Sequence, residues 1–124
     1  MKKNYIITKY DYFIVVRFTE SPSCDDIISA VDDAVLLDDS GRRMWVLEKG
    51  LDLSPDDLQI AASAGKAKLK RPSKMAVVAT EDLSFGLSRV FEFFRYQDGV
   101  ESRVFRNEEE ALVWLNKPFE HDDT

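Results

Sequence analysis

The spacing of apolar and polar residues predicts short strands that alternate with amphipathic helices. The clearest strand is Met75–Ala79, which has no polar position. A run of this kind is typical of a strand buried on both faces, in the middle of a sheet that helices cover on each side. A polar corner at Thr80–Asp82 leads from this strand into a helix. The face of that helix expected to meet the core consists of Leu83, Leu87, Val90, Phe91 and Phe94.

Two segments rich in β-branched and aromatic residues, Tyr5–Tyr10 and Tyr12–Thr19, begin the fold. Only Asp11 separates them, so a tight hairpin is the natural connection. Further strands are predicted at Arg43–Leu47 and at Val100–Arg106. The chain therefore carries five predicted strands.

Cap signals mark where the helices begin. Ser23 and Asp26 are spaced as a capping box, Ser54 precedes a proline at the first helical position, and Asn107 precedes three glutamates. The helices are expected to end at Gly41, Pro72 and Pro118. The residues expected to face the core are Ile27, Ile28, Val31, Ala34 and Val35 in the first helix, Leu58, Ala61, Ala62, Gly65 and Leu69 in the second, and Ala111, Leu112 and Leu115 in the last.

The resulting order is β-β-α-β-α-β-α-β-α. Strands that alternate with helices imply parallel pairing through right-handed crossovers, and the N-terminal hairpin adds an antiparallel strand at the edge. We therefore expect an α/β protein with a five-stranded mixed sheet and four helices. Residues 1–124 are expected to form a single domain, with residues 118–124 as a frayed tail.

Composition and charge exclude several classes of protein. The 124 residues are 44% hydrophobic, which is enough for a core, and no apolar run is as long as a membrane span. Met1–Lys3 leads directly into strand-like sequence, so no secretory signal is expected. The net charge of −6 disfavours nucleic acid as a partner, because phosphate binding needs a basic face. The one cysteine, Cys24, suits a reducing cytoplasm.

One segment departs from this acidic character, because no acidic residue lies between Gln59 and Thr80. Its five basic residues are the candidate membrane contacts: Lys66, Lys68, Lys70, Arg71 and Lys74. One interpretation is a solvated helix end whose cations complement the helix dipole. The other is a patch that attracts an anionic membrane surface, at about 1 kcal/mol per basic residue. The sequence leaves both open.

Residues suited to catalysis are scarce. The only histidine, His121, lies in the predicted tail, and a metal site of ordinary spacing would need a second one. Asp25 and Asp26 flank Cys24 and oppose formation of its thiolate. No glycine-rich phosphate loop is present. The sequence therefore predicts a protein that is not an enzyme and that carries no metal or cofactor.

Three segments resemble the SpoIIAA-like family of small bacterial proteins, which share the STAS-type fold. They are Met75–Ala79, Leu83–Phe91 and Val104–Leu115, and the similarity as a whole covers Tyr5–Leu115. This family has no established enzymatic activity and is compared with CRAL-TRIO lipid carriers. The resemblance implies two candidate activities. One is binding of a hydrophobic small molecule with transient membrane association, and the other is protein–protein regulation of the kind that STAS anti-sigma-factor antagonists perform.

Ser54 bears on the second activity. In STAS antagonists a serine at the start of this helix is phosphorylated within an Asp-Ser-Ser-Gly-type stretch, and Leu51–Asp57 lacks that pattern. Three nearby aspartates would repel a phosphate on Ser54, whereas a capping role accounts for the residue. This departure weakens the regulatory interpretation.

Apolar residues outside the predicted core stripes are candidates for a ligand pocket. Phe85 lies opposite the main stripe of its helix, Phe93 lies about 100° from it, and Ile60 and Leu36 fall outside the stripes of their helices. They fit a pocket rim, a membrane-dipping surface or a homodimer contact, and they equally fit an outer layer of the core. Phe85 beside Gly86 could swing as a gate. The candidate ligand-binding residues are Leu83, Phe85, Gly86, Leu87, Phe91 and Ile60.

The sequence thus favours a cytoplasmic, non-enzymatic protein that binds a hydrophobic, lipid-like small molecule in a cavity beside the second and third helices. It would associate reversibly with the inner face of the membrane and would not bind nucleic acid. The alternative is a STAS-type regulatory module whose partner is another protein.

Overall fold

The structure is a computed structural model, and it describes residues 3–37, 40–68, 73–96 and 99–119. The strands are β1 (Tyr5–Lys9), β2 (Ile14–Phe18), β3 (Arg42–Leu47), β4 (Ser73–Val78) and β5 (Val100–Phe105). The helices are α1 (Cys24–Leu37), α2 (Pro55–Lys68), α3 (Asp82–Arg95) and α4 (Glu108–Leu115). This order matches the predicted one.

The five strands form one mixed sheet in the order β1-β2-β3-β4-β5. The hairpin partners β1 and β2 are antiparallel, and every later neighbour pairs in parallel. Helices α1, α2 and α3 cover one face, and α4 covers the other. The predicted α/β class, mixed five-stranded sheet and N-terminal hairpin are therefore confirmed.

The prediction that the apolar run after position 74 is buried on both faces is also confirmed. Met75 and Val77 pack into the core under α1, α2 and α3, whereas Ala76 and Val78 pack into the smaller core under α4. All six residues of β4 are buried, and the strand lies inside the sheet between β3 and the edge strand β5.

The predicted side-chain caps are present at the first turn of three helices, α1, α2 and α4. The Ser23 hydroxyl accepts from the Asp26 N–H at 3.1 Å, and the Asp26 carboxylate accepts from the Ser23 N–H at 2.9 Å, which completes the capping box. The Ser54 hydroxyl accepts from the Asp57 N–H at 3.1 Å, and the Asn107 side chain caps α4 through the Glu110 N–H. Each bond satisfies an N–H that the helix itself leaves without an acceptor.

The faces of α1 and α4 are rotated slightly from the prediction. In α1, Ala30 is buried with the expected Ile27, Val31 and Ala34, whereas Val35 is 40% exposed. In α4, Trp114 is buried and Leu112 is 37% exposed, because the indole fills the space beside Phe105. The buried residues of α2 are the predicted ones (Leu58, Ala61, Ala62 and Gly65), and Leu69 lies outside the described residues.

The predicted face of α3 is only partly correct. Three of its five residues pack partly buried against the core, namely Leu87, Phe91 and Phe94, and the other two are exposed. Leu83 is 61% exposed and Val90 is 37% exposed, and the most deeply buried residues are Ser84, Ser88 and Arg95. α3 packs against α2 as well as against the sheet, so its inward side needs small residues where the two helices meet. A serine satisfies that steric demand, although hydrophobicity alone assigns it to the surface.

Candidate functional site

An internal cavity lies between the sheet and the three helices on its larger face. Side chains of β2, β3 and β4 form its floor, and α1, α2 and α3 enclose it with the loop residue Leu51. The face of α2 that lies above the cavity contains Gly65, and Ala61 and Ala62 are buried on the same helix. Because these residues have little or no side chain, α2 packs against α1 and α3 without filling the space between them.

The accessible walls of the cavity are almost wholly apolar, and two of the side chains that line it contain a buried hydrogen-bonding atom without a protein partner in the described part of the chain. These atoms are the Ser88 hydroxyl oxygen and the Trp45 Nε1, and both side chains line the cavity. Ser88 is 1% exposed and Trp45 is 7% exposed. A buried polar atom without a partner costs about 1–3 kcal/mol. Such a cost is typical of residues kept for function rather than for packing.

A positive charge lies at the same wall. Arg95 lines the cavity and is 1% exposed. Burial, together with the nearby charge of Arg43, lowers the pKa of Arg95 to about 10. Arg43 is equally buried and donates to the Ser73 hydroxyl at 3.0 Å. The two guanidinium groups lie at the end of the sheet where the helices terminate, so the negative ends of the helix dipoles favour them.

The size of the cavity limits what it can hold. It offers about 40 Å³ to the centre of a water-sized probe. One water needs roughly 10–15 Å³ on that measure, so about three or four heavy atoms fit. Pockets for drug-sized ligands have about 300–1,000 Å³. A lipid-like molecule would enter only if one of the helices moved.

Of the six predicted ligand-binding residues, only Phe91 lines the cavity. Phe85 and Leu87 pack partly buried against the core, so the prediction that Phe85 faces away from it is wrong. Leu83 and Ile60 are exposed, at 61% and 54%. The remaining residue, Gly86, is exposed as well, and a Cβ there would meet nothing within 4 Å.

The Phe85 ring has a partner that the gating hypothesis did not anticipate. The Arg106 guanidinium lies 4.1 Å from the centre of the ring, and the same group donates to the Asp82 carboxylate at 2.8 Å and to the Thr80 carbonyl at 3.2 Å. These contacts hold the start of α3 to the end of β5. Phe85 is therefore part of the packing at that corner.

Sequence reasoning missed Trp45, Ser88 and Arg95 as cavity residues. Ser84, Ser88, Phe91 and Arg95 follow the i, i+4, i+7, i+11 spacing of a single helix face. That spacing was a usable signal. It was overlooked because only apolar residues were counted as candidates for the buried face.

Lys74 cannot contact a membrane as predicted, because it is 1% exposed. Its ammonium group lies 4.2 Å from the centre of the Trp114 ring and donates to the Trp114 carbonyl at 2.7 Å and to the Lys117 carbonyl at 3.1 Å. Lys74 thus stabilises the C-terminal end of α4 from inside the protein.

Two of the other four basic residues in this segment, Lys66 and Lys68, lie within the described ranges. Lys68 is exposed and forms an ion pair with Asp32 of α1, and Lys66 is half-buried. Lys70 and Arg71 lie outside the described residues. None of the helices in the described ranges combines the length and the apolarity needed to cross a bilayer.

The remaining candidates for catalysis or metal binding are Cys24, clusters of acidic side chains and His121. Burial, followed by the charges of Asp57 and Asp25, raises the pKa of the Cys24 thiol, which opposes thiolate chemistry. No group of three or more potential metal-ligating side chains occurs within the described residues. His121 falls outside them.

Comparisons of the chain with protein-family models, with curated proteins and with solved structures find no match. The resemblance to the SpoIIAA-like family therefore stays a prediction, and the cavity has to be interpreted from its own chemistry.

Proposed function

We propose that the protein is a non-enzymatic binding protein whose internal cavity takes a small apolar molecule that carries a hydrogen-bond acceptor, such as a short-chain carboxylate. The observation that carries the proposal is the pairing of apolar walls with two polar atoms that lack protein partners, on Ser88 and Trp45. Few and well-placed polar groups in an apolar cavity are the usual signature of a ligand site.

The polar groups favour an acceptor on the ligand. The indole N–H of Trp45 can only donate and the Ser88 hydroxyl can donate, while Arg95 adds a positive charge at the wall. Burial, and then repulsion from Arg43, lowers the pKa of Arg95, and a carboxylate beside it would offset both effects. These donors thus select a carboxylate or carbonyl head group, while the walls select an apolar tail.

The size of the cavity bounds the affinity. The best small ligands gain at most about 1.5 kcal/mol per heavy atom, so four heavy atoms supply no more than about 6 kcal/mol. That limit corresponds to a dissociation constant no tighter than roughly 40 μM. A longer ligand would bind more tightly only if α3 moved outwards.

Calorimetric titration with straight-chain carboxylates from acetate to octanoate tests this proposal. We expect the wild-type protein to bind the shortest members and to lose binding as the tail outgrows the cavity. Ser88→Ala should weaken binding of every member, and Phe91→Ala should move the preferred tail to a longer chain. If no member binds, or if Ser88→Ala binds each as the wild type does, the proposal is wrong. Ordered water alone would give no dependence on chain length.

Reversible association with an anionic membrane is the second part of the proposal, and it rests on the two lysines at the end of α2, of which Lys68 is exposed and Lys66 is half-buried. The structure leaves fewer candidates than the sequence did, since Lys74 is buried and Lys68 pairs with Asp32. Co-sedimentation with phosphatidylserine vesicles at low salt, compared between wild type and Lys68→Glu, tests it. Equal sedimentation of the two proteins would contradict a role for this helix end.

The alternative of a STAS-type regulatory module depends on Ser54. Its hydroxyl caps α2 through the Asp57 N–H at 3.1 Å, a bond that accounts for the serine in structural terms. The proposal of a binding protein also includes membership of the SpoIIAA-like family and a place in the cytoplasm. Both rest on the residues that resemble that family. Capping does not favour the regulatory alternative over ligand binding.

A further inference from the structure

The outer edge of β5 presents backbone groups that no strand of the described chain pairs with. The Gly99 carbonyl accepts from the Ser73 N–H at 2.9 Å, and the Phe105 carbonyl accepts from the Ala79 N–H at 2.9 Å. Odd-numbered residues of β5 therefore direct their backbone groups toward β4. Because these directions alternate along a strand, the N–H and C=O groups of Val100, Ser102 and Val104 point outward from the sheet.

The side chains around this edge are self-complementary. Val100-Glu101-Ser102-Arg103-Val104 reads symmetrically about Ser102, with a valine at each end and opposite charges on either side of the centre. We propose that a second copy of this chain pairs with β5 antiparallel, with Ser102 opposite Ser102 of that copy. The two sheets would then form one continuous sheet of ten strands across a two-fold axis.

This register brings opposite charges together. Ser102 and the two valine positions form the hydrogen-bonded pairs, so Glu101 of each copy lies opposite Arg103 of the other in a non-hydrogen-bonded pair. Side chains in pairs of that kind are closest, about 4.5 Å apart at their Cα atoms. Opposite charges directly across an antiparallel pair are favourable. A carboxylate accepts more than one hydrogen bond, so existing contacts of Glu101 do not prevent this one.

Other registers are unfavourable. A slip of one residue sets outward backbone groups against groups already used by β4, which loses the hydrogen bonds. A slip of two residues in one direction places Glu101 opposite Glu101, and in the other direction places Arg103 opposite Arg103. Like charges directly opposite each other are destabilising. The symmetric register is thus the one that both backbone direction and charge select.

The neighbouring surface of α3 fits the same partner. A groove of about 1380 Å³ runs beside β5, and α3 contributes to it Val90, Phe93 and Tyr96. Phe93 is 78% exposed and Tyr96 is 70% exposed. Large aromatic side chains exposed side by side are typical of a surface that contacts another protein. A two-fold axis perpendicular to the sheet keeps α3 of both copies on the same face. Their exposed rings would then approach each other above the paired valines.

Charge reversal tests the proposed dimer by sedimentation velocity. The wild type should reach twice the chain mass of 14.2 kDa as its concentration rises. Glu101→Arg and Arg103→Glu should each weaken self-association roughly 10-fold to 100-fold, because each sets like charges opposite each other twice. The double variant should recover the wild-type affinity. An equal mixture of the two single variants should form a mixed dimer. Glu20→Arg, an equal change of charge on an exposed loop, should leave association unchanged.

Several results would overturn the proposal. A wild-type chain that stays monomeric up to roughly 1 mM would contradict the dimer. This holds even if the edge of β5 binds an unrelated extended peptide. A dimer that ignores both single reversals would show that another surface pairs. If each single variant weakens self-association but the mixture forms no mixed dimer, Glu101 does not lie opposite Arg103 and the proposed register is wrong. Ser102→Pro deletes an outward N–H that β4 does not use, so it should abolish the dimer while the thermal unfolding of the monomer is kept.

Discussion

The two buried serines of α3 provide a matched pair, because they differ in hydrogen bonding and in little else. Ser84 and Ser88 lie one turn apart on the same face, and each is 1% exposed. The Ser84 hydroxyl accepts from the Leu51 N–H at 2.8 Å, whereas the Ser88 hydroxyl has no partner within the described chain. Replacing each by alanine should therefore change the free energy of unfolding in opposite directions.

The magnitudes follow from what each substitution removes. Ser88→Ala removes a buried hydroxyl whose missing hydrogen bond costs about 1–3 kcal/mol. Alanine also favours the helix over serine by up to about 0.5 kcal/mol. We expect this variant to be more stable by about 1–2 kcal/mol. Ser84→Ala leaves the Leu51 N–H buried without an acceptor, so it should be less stable by about 1–2 kcal/mol after the same helix gain.

Urea unfolding followed by circular dichroism measures both variants under identical conditions. In thermal melts the expected changes correspond to roughly 3–5 °C per kcal/mol for a chain of this size. The binding titration supplies the second half of the test, since Ser88→Ala should gain stability and lose affinity for the short carboxylates. If Ser88→Ala is destabilised as much as Ser84→Ala, its hydroxyl is satisfied in the folded protein and the argument for a ligand fails.

Three further perturbations test other parts of the structure. Gly65→Ala should destabilise the folded protein by about 1–3 kcal/mol, because the new Cβ would lie 2.6 Å from the Nε of buried Arg95. Gly86→Ala is the matched control: its Cβ meets nothing within 4 Å, so it should stabilise the protein by about 0.5–1 kcal/mol in thermal melts. Lys74→Met should cost about 1–3 kcal/mol in urea unfolding, since it removes the two hydrogen bonds that the buried ammonium group donates to carbonyls at the end of α4. A hydrogen bond from Arg17 lowers the pKa of Glu108. The contribution of this ion pair to the stability of the fold is therefore present above pH ~4.3 and is lost as the pH falls through the lowered pKa. The Glu108 side chain is 49% exposed, so Glu108→Gln should reduce the acid-induced loss of stability by less than about 1 kcal/mol.

Each of these has a result that would count against it. Equal melting temperatures for the two glycine variants would mean that the guanidinium moves aside at little cost. An unchanged stability for the lysine variant would place that ammonium group at the surface. A glutamine variant with the same acid unfolding curve as the wild type would show that the ion pair is screened away.

The sheet was predictable from the sequence because its signals are local. The hairpin, the cap residues Ser23, Ser54 and Asn107, and the apolar run of β4 each follow from a few neighbouring residues, and the structure contains each of them. Short-range sterics and hydrogen bonding decide these features. Chain order then fixes the parallel pairing through the helical crossovers.

The cavity was less accessible to sequence reasoning, because it depends on how α2 and α3 meet. A stripe of Ser84, Ser88 and Arg95 reads as a solvated face until the neighbouring helix is known to lie against it. The same holds for Lys74, whose charge suggested the surface although the end of α4 supplies carbonyls that make burial tolerable. Tertiary contacts decided these positions, and a periodicity that counts only apolar residues does not contain them.

The most direct test of the binding site uses the two tryptophan indole signals in a ¹H–¹⁵N spectrum. Trp45 lines the cavity, whereas Trp114 is buried in the core on the other face of the sheet. On addition of acetate, we expect the Trp45 indole N–H signal to shift saturably as it gains an acceptor, and the Trp114 signal to stay in place. Two signals that both stay fixed, or that shift together without saturation, would contradict a ligand site in this cavity.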